Sequence, residues 1–247
     1  MTDMSFLFHV GDHWSANLLP GADKFIGDLS EWDVRSVTTM EFMFHKATAF
    51  NSDISKWDVS KVTNMESMFN GATSFNSDLS NWDVSSVTTM GWMFLEATKF
   101  NGDVSKWVTS KVTNMRSMFK RAEKFNGDIS KWDVSEVQNM ESMFNGATSF
   151  NRDVSKWDVS KVTNMGYMFK GATSFAKTLC GASWTGSTAA KTEMFIKSQG
   201  KFCGSYVKTI TTRTEPISTT LKRYHISPSA PSNRTHVHSH AKFGAVA

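Results

Sequence analysis

The chain has 247 residues, 40% of them hydrophobic and 20% charged, with four prolines and a formal net charge of +4. That apolar content suffices for a sizeable core and excludes wholesale disorder. Two cysteines exclude a disulfide-dense scaffold, and the absence of any run of about 18 apolar residues excludes a membrane-spanning helix.

Met1 to Leu19 contains neither Lys nor Arg. Its apolar stretch Met4-Ser5-Phe6-Leu7-Phe8 is too short for the core of a signal peptide, so none is read here. The expectation is a cytosolic chain, or one whose gene begins further upstream. Leu18, Leu19, Ala22 and Phe25 keep the register of the units that follow, so residues 1–24 are predicted to form an N-terminal capping half-repeat.

From Phe25 the chain repeats every 25 residues without insertion: Phe25, Phe50, Phe75, Phe100, Phe125, Phe150, Phe175. Trp32, Trp57, Trp82, Trp107, Trp132 and Trp157 keep the same spacing, as do Met40 through Met165 and a Met-Phe pair beginning at Met43-Phe44. Six units therefore span residues 25–174. A fixed period of 20 to 50 residues marks a solenoid, propeller or array. In Phe50–Ser74, the residues Ile54, Trp57, Val59 and Val62 follow the leucine-rich-repeat spacing, and Trp57-Asp58-Val59 alternates as a short strand does. Thr63-Asn64-Met65-Glu66 reads as a capping box, and Met65, Met68, Phe69 and Ala72 lie at i, i+3, i+4 and i+7. The predicted architecture is thus an α/β repeat solenoid, leucine-rich-repeat-like, with one short parallel strand and one helix of about three turns per coil. Six units and two caps at ~4.8 Å each give a stack on the order of 35 Å long, strands on one face and helices on the other.

Polar residues recur as strictly as apolar ones. Asp53, Asp78, Asp103 and Asp128 belong to one column (with Asp28 and Asp153), Ser55 and Ser80 to another, Asn51 and Asn76 to a third. Short polar side chains in turns bond nearby backbone groups, which makes these columns structural. The alternative is a calcium ladder, since stacked carboxylates repel without compensation; against it, no calcium-loop motif occurs, and no metal site is assigned. The tryptophans Trp57, Trp82, Trp107 and Trp132 are read as a structural core column.

The consensus FNxDISxWDVSxVTNMxxMFxGATS closely resembles the repeats of BspA-type leucine-rich-repeat surface proteins, over roughly Gly21 to Cys203. The resemblance implies a surface protein used in adhesion or recognition, extracellular or at the cell surface, without catalytic chemistry. The chain departs from the pattern at Val108-Thr109, where other units carry Asp-Val.

After Phe175 the period persists to Leu179 and then slips, Met194-Phe195 standing one residue late, so residues 175–204 are predicted as a modified C-terminal capping coil. Cys180 and Cys203 flank it, as a disulfide in an oxidising compartment or as two buried thiols otherwise. Residues 205–247 are Ser/Thr-rich with Pro216, Pro228 and Pro231 and no apolar period, the composition of a disordered tail. Lys208, Arg213, Lys222, Arg223, Arg234 and Lys242 oppose only Glu215, so the tail carries the basic balance of the chain. Scattered charges of this kind read as a solvated linker, and His236, His238 and His240 lack a partner ligand. Asn233-Arg234-Thr235 is a glycosylation sequon that matters only in a secreted eukaryotic chain.

No nucleophile, metal-protease, phosphate-loop or C-x-x-C motif occurs, and a near-perfect repeat supplies similar environments where catalysis needs one asymmetric cluster. The expected function is a non-enzymatic scaffold for adhesion or for protein or glycan recognition, acting as a monomer without cofactor or nucleic acid; the alternative is a structural spacer with no specific ligand. The candidate binding residues are Phe42, Trp92 and Tyr167, which occupy a column that is serine in other units (Ser67, Ser117, Ser142). Exposed aromatics anchor interfaces, while the competing reading is packing against the next coil. A further variable column runs through Ser36, Lys61, Ser86, Lys111, Glu136 and Lys161.

Overall fold

The computed structural model describes residues 1–10 and 21–204. The chain divides into two units, Met1–Tyr206 and Val207–Ala247. Leu18 and Leu19 lie outside the described residues. So do the tail's expected disorder, its histidines and its sequon.

The first unit is built from contacts one repeat apart. Parallel bridges join Asp3 to Thr39, then Thr39 to Asn64, Thr89, Asn114, Asn139, Asn164 and Ala190 in succession. Around each bridge the amide of Thr63 donates to Thr38 O (2.8 Å) and that of Met40 to Asn64 O (3.0 Å), so each coil hydrogen-bonds both neighbours. Met65, Met68, Phe69, Ala72 and Phe75 are fully buried, as are their equivalents from Met40 to Phe175. Phe69 stacks on Phe75 at 3.9 Å within its coil and on Phe44 and Phe94 at 5.6 Å in the coils beside it. One phenylalanine seam therefore runs through the stack, removing apolar surface from water at every coil.

Two predicted elements are corrected. No helix forms over Met65–Ala72 or its equivalents. Instead, Met68, Asn70 and Ala72 donate three residues back, to Met65, Ser67 and Phe69, while Met65, Ser67, Phe69 and Gly71 donate to Thr89, Gly91, Met93 and Leu95 of the next coil. Alternate amides serve the turn and the neighbour. The physical reason is spacing: packed helices sit 8–10 Å apart, whereas identical rings in adjacent coils are 5.5 to 5.8 Å apart on this side too. Nor does Trp57-Asp58-Val59 form a strand; the parallel bridge falls on Asn64, at the expected helix start. Thr63, read as a cap, bonds the preceding coil, and Asn64 Oδ1 accepts the Glu66 amide instead (2.9 Å).

The turn run requires left-handed backbone at two positions per coil. The first holds Phe42, Ser67, Trp92, Ser117, Ser142 and Tyr167, with φ between 52° and 59°. The second holds Lys46, Gly71, Glu96, Arg121, Gly146 and Gly171. At Gly71, with φ 73°, a Cβ would stand 3.3 Å from the Lys46 Cα. Gly71→Ala is therefore expected to cost about 1–2 kcal/mol, from left-handed strain plus this backbone approach; chemical denaturation measures it, and an unchanged stability would contradict the assigned backbone.

The ends differ. At the start, Met4, Phe6, Phe8 and Val10 donate to Thr39, Glu41, Met43 and His45. Met4-Ser5-Phe6-Leu7-Phe8 thus takes the place of Met40–Phe44 in a preceding half-coil, 36 residues away rather than 25. Ala22 is buried and Phe25 packs on Phe8 at 4.4 Å. The Trp-bearing side of the first coil is less covered: Ile26 is 76% and Trp32 37% exposed. At the other end a two-residue strand β1 (Thr178–Leu179) pairs in parallel with β2 (Lys201–Phe202), and the short helix α1 (Ala182–Thr185) buries Trp184. Phe195 continues the seam on Phe169 at 5.8 Å, and Phe202 closes it edge-on at 5.1 Å. Cys180 is joined to Cys203 by a disulfide, with Cα atoms 4.8 Å apart. Among the described residues, no helix is long and apolar enough to cross a membrane.

Candidate functional site

The recurring polar columns are engaged in the coil itself. Asp53 Oδ1 accepts the amide of Ser55 at 2.9 Å, and Asp28, Asp78, Asp103, Asp128 and Asp153 repeat the contact with their own serines. Asn51 Oδ1 accepts the Asn76 amide of the next coil (2.7 Å), and the ladder continues to Ala176. Each core tryptophan donates its indole N–H to a carbonyl of the coil before it: Trp57 to Leu29, Trp82 to Ile54, Trp107 to Leu79, Trp132 to Val104. Buried indoles need such partners, and the repeat supplies one at every step. Where the Asp-Val pattern fails, Val108 points outward, 53% exposed, while Thr109 is buried and its hydroxyl bonds Asp133 O at 2.7 Å. Among the described residues, no group of three or more His, Cys, Asp or Glu could hold a metal ion.

These turns carry a pH signature. The serine amide, and then the serine hydroxyl, hold the carboxyls of Asp28, Asp53, Asp103, Asp128 and Asp153 below the ordinary carboxylate value. A depressed folded-state value means the unfolded chain takes up protons first as pH falls. Their contribution is thus full above the unfolded value of about 4 and is lost as pH drops through the depressed ones. Glu66, pushed up by burial and by the neighbouring Glu41 carboxylate, acts in the opposite sense at one site. The thermal midpoint is expected to fall steadily below about pH 4, and a midpoint independent of pH from 5 to 2.5 would remove the Asp turns from the stability of the coil.

The three candidate aromatics do not share one surface cluster. All are half-buried. Phe42 stacks on Phe6 at 5.0 Å and meets His45 edge-on, which makes it part of the N-terminal cap. Trp92 lies under the Arg116 guanidinium of the next coil, 5.1 Å from the ring centroid, and Tyr167 under the Lys170 ammonium at 5.0 Å. Ser67, Ser117 and Ser142 of the same column are buried.

Beside this column runs another that sequence reasoning passed over: Glu41, Glu66, Gly91, Arg116, Glu141 and Gly166. Asn64 Nδ2 donates to Glu41 Oε2 and Asn164 Nδ2 to Glu141 Oε2, both at 3.1 Å, and Thr89 Oγ1 reaches Glu66 Oε2 at 3.4 Å. Each coil thus hands a donor to the carboxylate of the coil before it, except where Gly91, Arg116 and Gly166 interrupt the series. The sequence signal was present in Gly91-Trp92 and Gly166-Tyr167, which pair the missing side chain with an aromatic one. Its meaning depends on an offset of 23 residues between columns, which only the structure provides. Surface ion pairs join neighbouring coils at Lys56–Glu31 (3.8 Å), Arg121–Glu96 (3.0 Å) and Lys161–Glu136 (2.5 Å). Exposed pairs of this kind contribute little stability.

Repeating coils that bond chiefly to their neighbours define a repeat protein. A family model described as "Mycoplasma protein of unknown function, DUF285" matches residues 14–125 and, overlapping, residues 92–208, and the chain belongs to that family. No curated protein and no solved structure matches it.

Proposed function

We propose that the stack is a solenoid scaffold for surface adhesion or recognition, of the BspA-like kind, binding a protein or glycan through the face that bears Trp92 and Tyr167. One observation carries this reading: bulky aromatics stand at a left-handed position that serine fills in other coils. A large side chain at positive φ is uncommon, and the coil does not demand it there. Phe42 stacks within the cap, whereas Trp92 and Tyr167 stay half-buried beneath the cationic side chains of Arg116 and Lys170. An extracellular or cell-surface location accords with the Cys180–Cys203 disulfide, which persists in oxidising surroundings. The scaffold acts without catalysis or cofactor, as a monomer, with no nucleic-acid partner.

The test is a glycan-and-protein array probed with the wild type and with a Trp92→Ala, Tyr167→Ala double variant. Binding by the wild type that the double variant loses, with its fold intact by circular dichroism, is the expected result. Retained binding would move recognition elsewhere. A spacer reading is favoured by the sameness of the other columns, and it requires that the array show no specific ligand.

A further inference from the structure

We propose that the N-terminal end of the stack, where the first coil exposes Ile26 and Trp32, is a second interaction surface: a dock for an extended peptide of another protein, rich in basic and apolar residues. It is separate from the column of Trp92 and Tyr167.

The half-coil before the stack covers only part of this end. Met4, Phe6, Phe8 and Val10 bond the run from Thr39 to His45, and Phe8 reaches the Trp32 ring at 5.8 Å. In later coils the indole N–H is met by a carbonyl 28 residues earlier, as Trp57 is by Leu29 and Trp82 by Ile54. The corresponding residue for Trp32 is Met4, which the half-coil holds beside Thr39 instead (3.1 Å). The Trp32 indole therefore has no acceptor among the described residues, and its ring is 37% exposed. Ile26 stands where later coils carry Asn51, Asn76, Asn101, Asn126 and Asn151. The asparagine ladder thus stops at Asn51, and an apolar side chain, 76% exposed, takes its next place. Terminal coils of a solenoid ordinarily turn a polar face outward. This one turns out an isoleucine and an unmet donor.

Charge selects the occupant. Two open clefts flank the exposed pair, one of about 300 Å³ at Trp32 and one of about 400 Å³ at Ile26. Five carboxylates and two cations line them. Arg35 is held by Asp33 at 2.8 Å, and Lys56 lies 3.8 Å from Glu31. Asp28, Asp53 and Asp58 are left without an ion pair among the described residues. Glu31 itself stands where Lys56, Lys106, Lys131 and Lys156 recur, so the acidic balance belongs to this end and not to the repeat. An occupant must bring a carbonyl to the indole, an apolar side chain to Ile26 and positive charge to the carboxylates. An extended peptide brings all three, its main chain giving the carbonyl and its successive side chains the rest. A nucleic acid or an acidic glycan would meet the carboxylates with like charge.

The experiment titrates the full chain with two labelled decapeptides, one alternating lysine with valine and one alternating glutamate with valine, and reads fluorescence anisotropy. The double variant Ile26→Asn, Glu31→Lys gives this end the residues that later coils carry, so the fold is kept. Glu136→Lys is the control, the same change of charge in a column where Lys61, Lys111 and Lys161 recur. The lysine peptide is expected to bind and the glutamate peptide not to. The double variant should weaken binding by about tenfold or more and the control by less than about twofold, with added salt weakening it in every case. Covalent tryptophan labelling, read by mass spectrometry, should modify Trp32 in the free protein and spare it when the lysine peptide is present. No binding of the lysine peptide, equal binding of both peptides, or equal losses in the double variant and the control would overturn the dock. So would a Trp32 that resists labelling in the free protein, since residues 11–20 or a second copy would then already occupy this end.

Discussion

Phe94→Ala is expected to cost about 3–5 kcal/mol, the range for deleting a fully buried aromatic ring. Phe94 stacks within its coil on Phe100 at 3.9 Å and touches Phe69 at 5.6 Å in the coil before and Phe119 at 5.5 Å in the coil after. The void opens on both neighbours and cannot collapse without shifting two ladders. For an ordered unit of this size, each kcal/mol lowers the thermal midpoint by roughly 2–4 °C, so a fall on the order of 10 °C is expected. Phe195, half-buried and met edge-on by Phe202 in the irregular cap, should cost distinctly less. Equal losses at the two positions would argue against nearest-neighbour stacking as the source of stability.

The second large effect is at the C-terminal cap. The Cys180–Cys203 bond closes a loop whose ends are 23 residues apart, a constraint on the unfolded chain of roughly 3 kcal/mol in the loop-entropy treatment. Reduction, or the Cys180→Ala, Cys203→Ala double variant, is expected to destabilise the unit by about 2–4 kcal/mol and to loosen the cap first. Under those conditions the amides of Lys201 and Cys203, which donate to Lys177 and Leu179, should exchange with solvent before those of the central coils. Intact mass after alkylation, with and without prior reduction, tests the premise: two thiols alkylated in the unreduced native protein would defeat it.

The period, the buried columns and the stacking of one coil on the next could be read from the residues because each recurs at a fixed interval. The turn run was not legible, and the reason is specific. Met65, Met68, Phe69 and Ala72 point inward at i, i+3, i+4 and i+7 in a helix, and they also point inward in three linked turns. Periodicity alone does not separate the two. The close spacing of Phe44, Phe69 and Phe94 decides it, and so does glycine at the left-handed positions of Gly71, Gly146 and Gly171. At the N-terminal cap, Met4–Phe8 matches the pattern of Met40–Phe44 and forms the bonds, at a separation of 36 residues that the 25-residue register does not point to, while Leu18 and Leu19 lie outside the described residues. Of the candidate site, the aromatic residues could be seen in advance. The bonds from Asn64 to Glu41 and from Asn164 to Glu141 could not, because they join two columns.

Since every regular coil presents the same backbone acceptors and donors to whichever coil lies beside it, the stack can gain or lose whole 25-residue units without a change of register. Excising Phe75–Lys99 would bring Ser74 to Phe100 and leave each backbone ladder continuous, while removing Trp92. Inserting a unit between Trp92 and Tyr167 would move the two rings apart by one coil, about 4.8 Å, and by no smaller amount. Copy number thus works as a ruler with discrete marks, able to set the distance between two attachment points while each point keeps its own chemistry.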